Sequence, residues 1–181
     1  MAWVYQLTPK EEALAARVGY ERQLPMFAQP ERNRNYSEGD IWETWQHMIC
    51  AASEIAAARM MGMDFYEPEA NTFKNKLDIP GYEVRYSFTK KDPDGPRYGL
   101  RFNSRVDSDN EIYILIVGGP ETKTRRDPAD GYKAPAFRAI GWMRGAECVS
   151  PEYLVKGTSY MVPAGSLHEM ADLPVVESVD A

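Results

Sequence analysis

The segment Glu111-Ile112-Tyr113-Ile114-Leu115-Ile116-Val117 carries apolar residues on both of its alternating faces. Successive side chains of a strand point to opposite sides of a sheet, so such a strand cannot leave one face in water and belongs in the middle of a covered sheet. Helices are expected over both sides, which makes the chain an α/β domain with a mixed sheet. The apolar stretch from Ile112 to Val117 is far shorter than the ~20 residues a membrane helix needs, and no membrane span is expected. With 181 residues, 44% hydrophobic and 27% charged, the chain has material for one sizeable core and sits apart from disordered compositions.

The other elements follow from local signals. Thr8-Pro9-Lys10-Glu11 is a capping box with proline at the first helical position, and Gly19 reads as the stop of a short first helix ending at Val18. From Gln23 to Asn35, prolines and polar residues without periodicity predict a loop or extended arm. Ser37 or Asp40 caps a second helix, on which Trp42, Trp45, Ile49, Ala52, Ala56 and Met60 share one face and Gly62 closes the end. Leu77 to Pro80 is turn-like, and Tyr82 to Phe88 alternates as a half-buried strand. The cluster Asp92-Pro93-Asp94-Gly95-Pro96 joins it to the extended run from Tyr98 to Phe102, which predicts a hairpin. A polar loop from Gly118 to Pro135 leads to a strand from Ala136 to Met143, a helical turn from Pro151 to Leu154 and an edge strand at Tyr160-Met161-Val162. The expected organisation is an N-terminal helix and arm over 1–38, an α/β domain over 39–170, and a frayed acidic tail over 171–181.

Several chemistries are excluded by reading. Cys50 and Cys148 are too few for a disulfide framework, lack the paired spacing of a zinc site, and read as buried thiols. There is no phosphate-binding G-x-x-x-x-G-K-[ST], no G-x-G-x-x-G and no H-E-x-x-H. Nothing around His47 or His168 suggests a catalytic triad. Asp107-Ser108-Asp109-Asn110 opens like a calcium loop, but Ile112 stands where glycine is needed and Gly118 where glutamate is needed, so it reads as a solvated turn. A net charge of −6 argues mildly against a protein that coats nucleic acid with its whole surface, and leaves room for a basic groove on an acidic body. Lys10, Glu11 and Glu12 interrupt the N-terminus before an apolar run builds, so no secretory signal is read and a cytoplasmic location is expected.

The informative feature that remains is acidic. Glu54 lies off the main stripe of the second helix, flanked by the small residues Cys50, Ala51, Ala57 and Ala58, which permit close approach of a neighbouring element. Asp78 falls just before the strand, and Glu83 and Arg85 share one strand face, opposite Tyr82, Val84, Tyr86 and Phe88. With the second helix packed on the Glu83 face, three carboxylates and one guanidinium converge, and such crowding is costly unless a cation offsets it. A hard ion such as Mg²⁺ suits all-oxygen ligation. Each residue also has a plainer reading: Glu83 and Arg85 as a solvated sheet face, Asp78 as a turn former, Glu54 as a helix edge in water.

The order Glu54, Asp78, Glu83-Val84-Arg85 resembles the PD-(D/E)XK or restriction-endonuclease-like nuclease superfamily, in which a helical glutamate precedes a hairpin bearing Asp and E-x-K. It is most similar to small phage-encoded members, through Ala51 to Ala58, Asp78 to Arg85, Phe137 to Gly145 and Tyr160-Met161-Val162-Pro163, over roughly residues 39 to 168. The resemblance implies a restriction-endonuclease-like mixed sheet with helices on both faces and Mg²⁺- or Mn²⁺-dependent hydrolysis of DNA, with RNA a second substrate class, in the host cytoplasm. It assigns Asp78 and Glu83 to the metal, Glu54 to a water or second ion, and Arg85 to the place usually held by lysine. Arginine stays protonated, so it stabilises phosphate charge but takes no proton; Lys90 or Lys91 is a candidate substitute. Arg97, Arg101, Arg105, Lys123, Arg125 and Arg126 are the candidate lining of a DNA groove, and such folds often act as homodimers when cutting both strands. The alternatives are a catalytically lapsed member that binds nucleic acid or a host protein, and a virion or host-inhibitor protein that docks a partner.

Overall fold

The computed structural model describes residues 3–27, 40–70, 77–89, 99–120 and 134–176. Within them the chain is a mixed α/β structure. Strand β1 (Val4–Tyr5) leads into helices α1 (Pro9–Phe27) and α2 (Asp40–Met60), followed by strands β2 (Glu83–Thr89), β3 (Gly99–Asn103), β4 (Ile112–Pro120) and β5 (Phe137–Arg144). A one-turn helix α3 (Gly145–Cys148) and strands β6 (Leu154–Lys156) and β7 (Ser159–Pro163) come last, with short 3-10 turns between and after them. One sheet has the order β1-β5-β4-β2 and the other β3-β7-β6.

Strand β4 is buried on both faces, as its composition requires. Ile112, Ile114 and Ile116 join a core with α1 and α2, while Tyr113, Leu115 and Val117 join a second core with Leu100 and Phe102 of β3 and Val162 of β7. The two faces are therefore covered differently from the expectation. Helices α1 and α2 cover one side; the other is covered by the three-stranded sheet, with Cys148 of α3 in its core. The expected hairpin does not form either: β2 pairs parallel with β4, and β3 pairs antiparallel with β7 in the other sheet. Alternation in β3 explains its place, since Leu100 and Phe102 are buried and Arg101 between them is exposed, which suits an outer layer. Tyr160 to Val162 lies within the central strand of that sheet rather than at its edge, and β3 and β6 are the edges.

Helix α1 is longer than expected and runs through Gly19 to Phe27, with Pro25 tolerated close to its end. Its capping box is present: Thr8 N donates to Glu11 Oε2 at 2.8 Å and Glu11 N to Thr8 Oγ1 at 3.4 Å. Gly19 is not a stop signal. A Cβ there would lie 2.4 Å from the Met48 backbone nitrogen, so glycine lets α1 and α2 approach closely. Helix α2 ends where expected, with Gly62 at φ 82°, Met63 N donating to Ala58 O and Gly62 N to Arg59 O. Its segment from Ala51 to Ala58 is buried on every side, the behaviour of a helix enclosed between another helix and a sheet.

The segment after Ala171 does not fray over its described part. Leu173 packs on the helix-side core, Tyr82 Oη donates to Pro174 O, and Val176 N donates to Tyr82 Oη. The expected arm from 28, the Asp92 turn, Lys90 and Lys91, and residues 177–181 lie outside the described residues. No helix among the described residues is long and apolar enough to cross a membrane.

Gly19 gives a test whose sign opposes ordinary helix propensity. An exposed Gly→Ala change inside a helix gains up to ~1 kcal/mol. Here Gly19→Ala is expected to lower stability by about 1–3 kcal/mol in urea unfolding, because the new methyl meets the Met48 backbone as well as its side chain, and the backbone cannot move aside. A stabilised variant would contradict the close crossing.

Candidate functional site

The site is built from three places in the chain: the turn ahead of β2, the leading ends of the parallel strands β2 and β4, and the facing surfaces of α1 and α2. Parallel pairing sets Glu83 beside Tyr113, so Glu111 lies just ahead of β4 at the same end as Asp78. Asp78 Oδ2 accepts from Val84 N at 2.9 Å, and Asp78 N donates to Glu83 Oε2 at 3.3 Å, which ties the turn to the first residues of β2. Asp78 Oδ1 takes no hydrogen bond from the described residues. Glu111 Oε2 accepts from Tyr113 Oη at 3.0 Å.

Arg85 is held on three sides. Its Nη1 donates to Glu83 Oε1 at 2.7 Å, its Nη2 donates to Asp107 Oδ1 at 2.7 Å, and its guanidinium carbon sits 5.2 Å from the centre of the Tyr113 ring. Asp107 is fixed in turn by Asn103 N, which donates to its other oxygen at 2.7 Å. The expected solvated turn at Asp107 thus supplies a half-buried anchor that the sequence reading missed.

Glu54 is buried, and its partner is Arg22. Nη1 donates to Glu54 Oε1 at 2.7 Å and Nη2 to Oε2 at 2.9 Å, a two-pronged pair with both side chains only 6% exposed. Arg22 Nε donates to Glu69 O at 2.9 Å. Arg22 fell outside the sequence reading because the first helix was stopped at Gly19. The signal was present: Glu11, Ala15, Val18 and Arg22 are spaced as one helix face and all are buried. Each charged end of that face meets an opposite charge on α2, Arg22 on Glu54 and Glu11 on Arg59, the latter at 2.7 Å.

The helices pack on the Tyr82, Val84 and Tyr86 side of β2, not on the Glu83 and Arg85 side as expected. Apolar surface decides which face a helix covers, and the charged face turns toward the second sheet. Glu54, Asp78 and Glu83 therefore do not converge on one point, and among the described residues no three Asp, Glu, His or Cys side chains form a ready-made metal group. They still feel one another. Burial pushes the Glu54 carboxyl up to about 7 against the pull of Arg22, and the charges of Asp78 and Glu83 add to the push. Burial also raises Asp78, against the pull of the Val84 N–H and of Arg85 and Arg22, with Glu111 adding to the rise; burial and then Asp78 raise Glu83. Burial, with the Glu54 charge, pushes the half-buried Cys50 thiol up to about 12, which disfavours the thiolate form.

Five carboxylates, Glu54, Asp78, Glu83, Asp107 and Glu111, thus share a neighbourhood in which the guanidinium partners given by the described residues are Arg22 and Arg85. Of the candidate groove residues, Arg101 and Arg105 are exposed on β3 and the turn after it; Arg97, Lys123, Arg125 and Arg126 lie outside the described residues. No family model, curated protein or solved structure matches this chain.

The raised carboxyls fix the sign of the pH dependence. Native Glu54 holds its proton more tightly than an unfolded glutamate near 4.5, so the stabilisation is fully present below 4.5 and is lost as pH rises through about 7. Asp78 and Glu83 act in the same direction. Unfolding free energy measured under chelator is expected to rise as pH falls from about 8 to about 5, by at most ~1.4 kcal/mol per pH unit for each group, and Glu54→Gln is expected to remove the part nearest neutrality. A flat profile in the parent would show that Arg22 keeps Glu54 fully ionised.

Proposed function

We propose that the chain is a metal-dependent, phage-type nuclease that hydrolyses DNA phosphodiester bonds within a restriction-endonuclease-like α/β fold. The observation that carries the reading is the uneven charge at the leading ends of β2 and β4, where carboxylates outnumber the guanidinium groups that hold them. The donor set fits a small hard cation. Mg²⁺ takes one or two protein carboxylates and leaves its other positions to water and substrate phosphate, so a set of three is not required. Asp78 offers Oδ1, and Glu83 Oε2 carries one long hydrogen bond and keeps a lone pair. Mg²⁺ or Mn²⁺ held there would supply Lewis-acid stabilisation of phosphate charge and a lowered pKa for water.

The chain's own residues do the rest. Arg85 is fixed in direction by Glu83, Asp107 and the Tyr113 ring, and Glu83 and Asp107 hold it protonated against burial. It acts as a fixed positive charge beside the phosphate and takes no proton. Arg101 and Arg105 are exposed positive charges for the backbone of DNA or, as the other substrate class, RNA.

A second reading has its own support: both prongs of Arg85 and both oxygens of Glu54 are already engaged within the protein. A nuclease fold whose charged groups satisfy one another is suited to a lapsed module that binds nucleic acid or a host protein without cutting.

The two readings separate in one experiment. Incubation with linear, supercoiled and single-stranded DNA and with RNA, in Mg²⁺ or Mn²⁺ against chelator, is expected to show metal-dependent cleavage that Glu83→Ala abolishes. Arg85→Ala is expected to lose on the order of 10²–10³-fold in rate and Arg85→Lys to keep part of it. Binding without cleavage on every substrate favours the lapsed nucleic-acid-binding module; neither binding nor cleavage sinks the nuclease and the nucleic-acid-binding module and favours a protein-docking role.

A further inference from the structure

The three-stranded sheet covers β4 with one face and leaves the other open. Pairing fixes what each face carries, because residues opposite one another in an antiparallel pair point to the same side. Phe102, Tyr160 and Leu154 form one row across β3, β7 and β6, and Leu100 with Val162 forms another; Phe102, Leu100 and Val162 lie in the core shared with β4. The alternate rows therefore face outward: Asn103, Ser159 and Lys156 across all three strands, and Arg101 with Met161 beside them. Arg101, Ser159 and Lys156 are exposed, and Asn103 and Met161 are half-buried. In a chain of net charge −6, these three strands carry Arg101 and Lys156 and no acidic residue. Arg17, Arg22, Arg59 and Arg85 are each committed to a carboxylate elsewhere. Among the described residues, Arg101, Lys156 and the exposed Arg105 of the turn after β3 make no ion pair. The outer face also runs into the surroundings of Arg85. Asn103 N donates to Asp107 Oδ2 at 2.7 Å, Arg105 N donates to Asn103 Oδ1 at 3.1 Å, and Arg85 Nη2 donates to Asp107 Oδ1 at 2.7 Å. The turn that carries Arg105 thus joins the outer row of the sheet to the guanidinium of β2.

We propose that the outer face of the three-stranded sheet is a docking track for the phosphodiester backbone of a nucleic acid, with Lys156, Arg101 and Arg105 as its phosphate contacts, leading toward Arg85. The proposal rests on the nucleic-acid part of the reading above and deepens it by assigning the surface and its direction; it needs neither a metal nor cleavage. Arg101 and Lys156 lie on strands either side of β7, whose axes are about 10 Å apart at twice the usual strand spacing. Over ~10 Å of duplex axis each DNA strand offers about three phosphates, so one backbone passes both charges. The Ser159 hydroxyl and the Asn103 side-chain amide add neutral donors to the same row. Contacts of this kind hold a backbone without reading its bases, so binding here is independent of sequence and weakens with salt. An anionic membrane is the poorer match, because a membrane-surface face sets large apolar side chains among its cations, and the outward rows described here hold Met161 alone.

The test is fluorescence anisotropy of labelled single-stranded DNA, duplex DNA and RNA titrated with the full chain under chelator, so that nothing is cut, over a range of salt concentrations. The parent is compared with Arg101→Ala, Lys156→Ala and the two combined, and with Lys10→Ala as a control, an exposed cation at the start of α1 on the other side of the first sheet. All four positions of change are exposed, and circular dichroism checks that the fold is kept. The expected result is that the slope of log affinity against log salt falls by about 1 in each sheet variant and by about 2 in the combined one, equally for unrelated sequences, and stays unchanged in Lys10→Ala. Binding in the parent with the same slope in the combined variant overturns the track and leaves nucleic-acid binding, and the nuclease, standing. The expected binding shifts without cleavage when Mg²⁺ is restored support the track and sink the nuclease. No binding of the parent to any of the three nucleic acids overturns the track, and capture by anionic vesicles in that case assigns the face to a membrane.

Discussion

The described elements are arranged so that β4 stays dry on both faces. Its six apolar side chains alternate between two cores, and burying one of that size is worth roughly 1.5–3 kcal/mol. Exposing the three on either face would cancel about as much free energy as a whole domain retains, some 5–15 kcal/mol. Two covers are therefore obligatory, and the chain makes them from different material: the α1 and α2 pair on one side, the three-stranded sheet on the other. The same constraint brings β2 alongside β4 in parallel, because a strand with one apolar face, Tyr82, Val84 and Tyr86, extends the helix-side core at the sheet's margin.

That parallel pairing is what assembles the charges. Parallel strands start at the same end, so the turn before β2 and the turn before β4 lie side by side, bringing Asp78, Glu83, Asp107 and Glu111 into one neighbourhood. A hairpin between β2 and β3 would have set the start of one strand beside the end of the other. The opposite face of β2, bearing Glu83 and Arg85, then meets the rim of the second core, where the Tyr113 ring and Asp107 receive the guanidinium.

Signals that act within a few residues were legible, and those that depend on partners far along the chain were not. The Thr8–Glu11 capping box, the Gly62 terminus and the two-faced strand all depend on local chemistry, and the structure contains them. Gly19 misled because a glycine that ends a helix and a glycine that admits a neighbouring backbone are the same letter; only the burial of Arg22 beyond it separates the two. The hairpin misled because turn residues between two extended runs do not say which sheet each run will join. The face of β2 was misread for another reason: bringing three carboxylates together required the helix on the charged side, while the apolar alternation of the same strand put it on the other. Asp107 was dismissed because it failed as a calcium ligand, although a carboxylate in a turn is equally suited to anchoring an arginine.

The two ion pairs between α1 and α2 differ in a way that bears on what each can do. Glu11–Arg59 sits at the partly open end of the helix pair, and Glu11 has other donors in Thr8 and Tyr5. Burial works against its charge, but the Thr8 backbone, Arg59 and the Thr8 hydroxyl hold its pKa below the usual glutamate range. That carboxylate is settled, and its pair serves the fold. Glu54 has Arg22 as the hydrogen-bond partner of both its oxygens, is pressed by Asp78 and Glu83, and carries a raised pKa. One end of the α1–α2 contact is thus satisfied and the other is frustrated, on the same pair of helices and with the same pair of residue types. A fold that needed only adhesion there would do as well with apolar side chains. The charges of Asp78 and Glu83 reach the Glu54 end of the helix pair, so the packing of α1 on α2 and the carboxylates of the β2 turn are electrostatically linked.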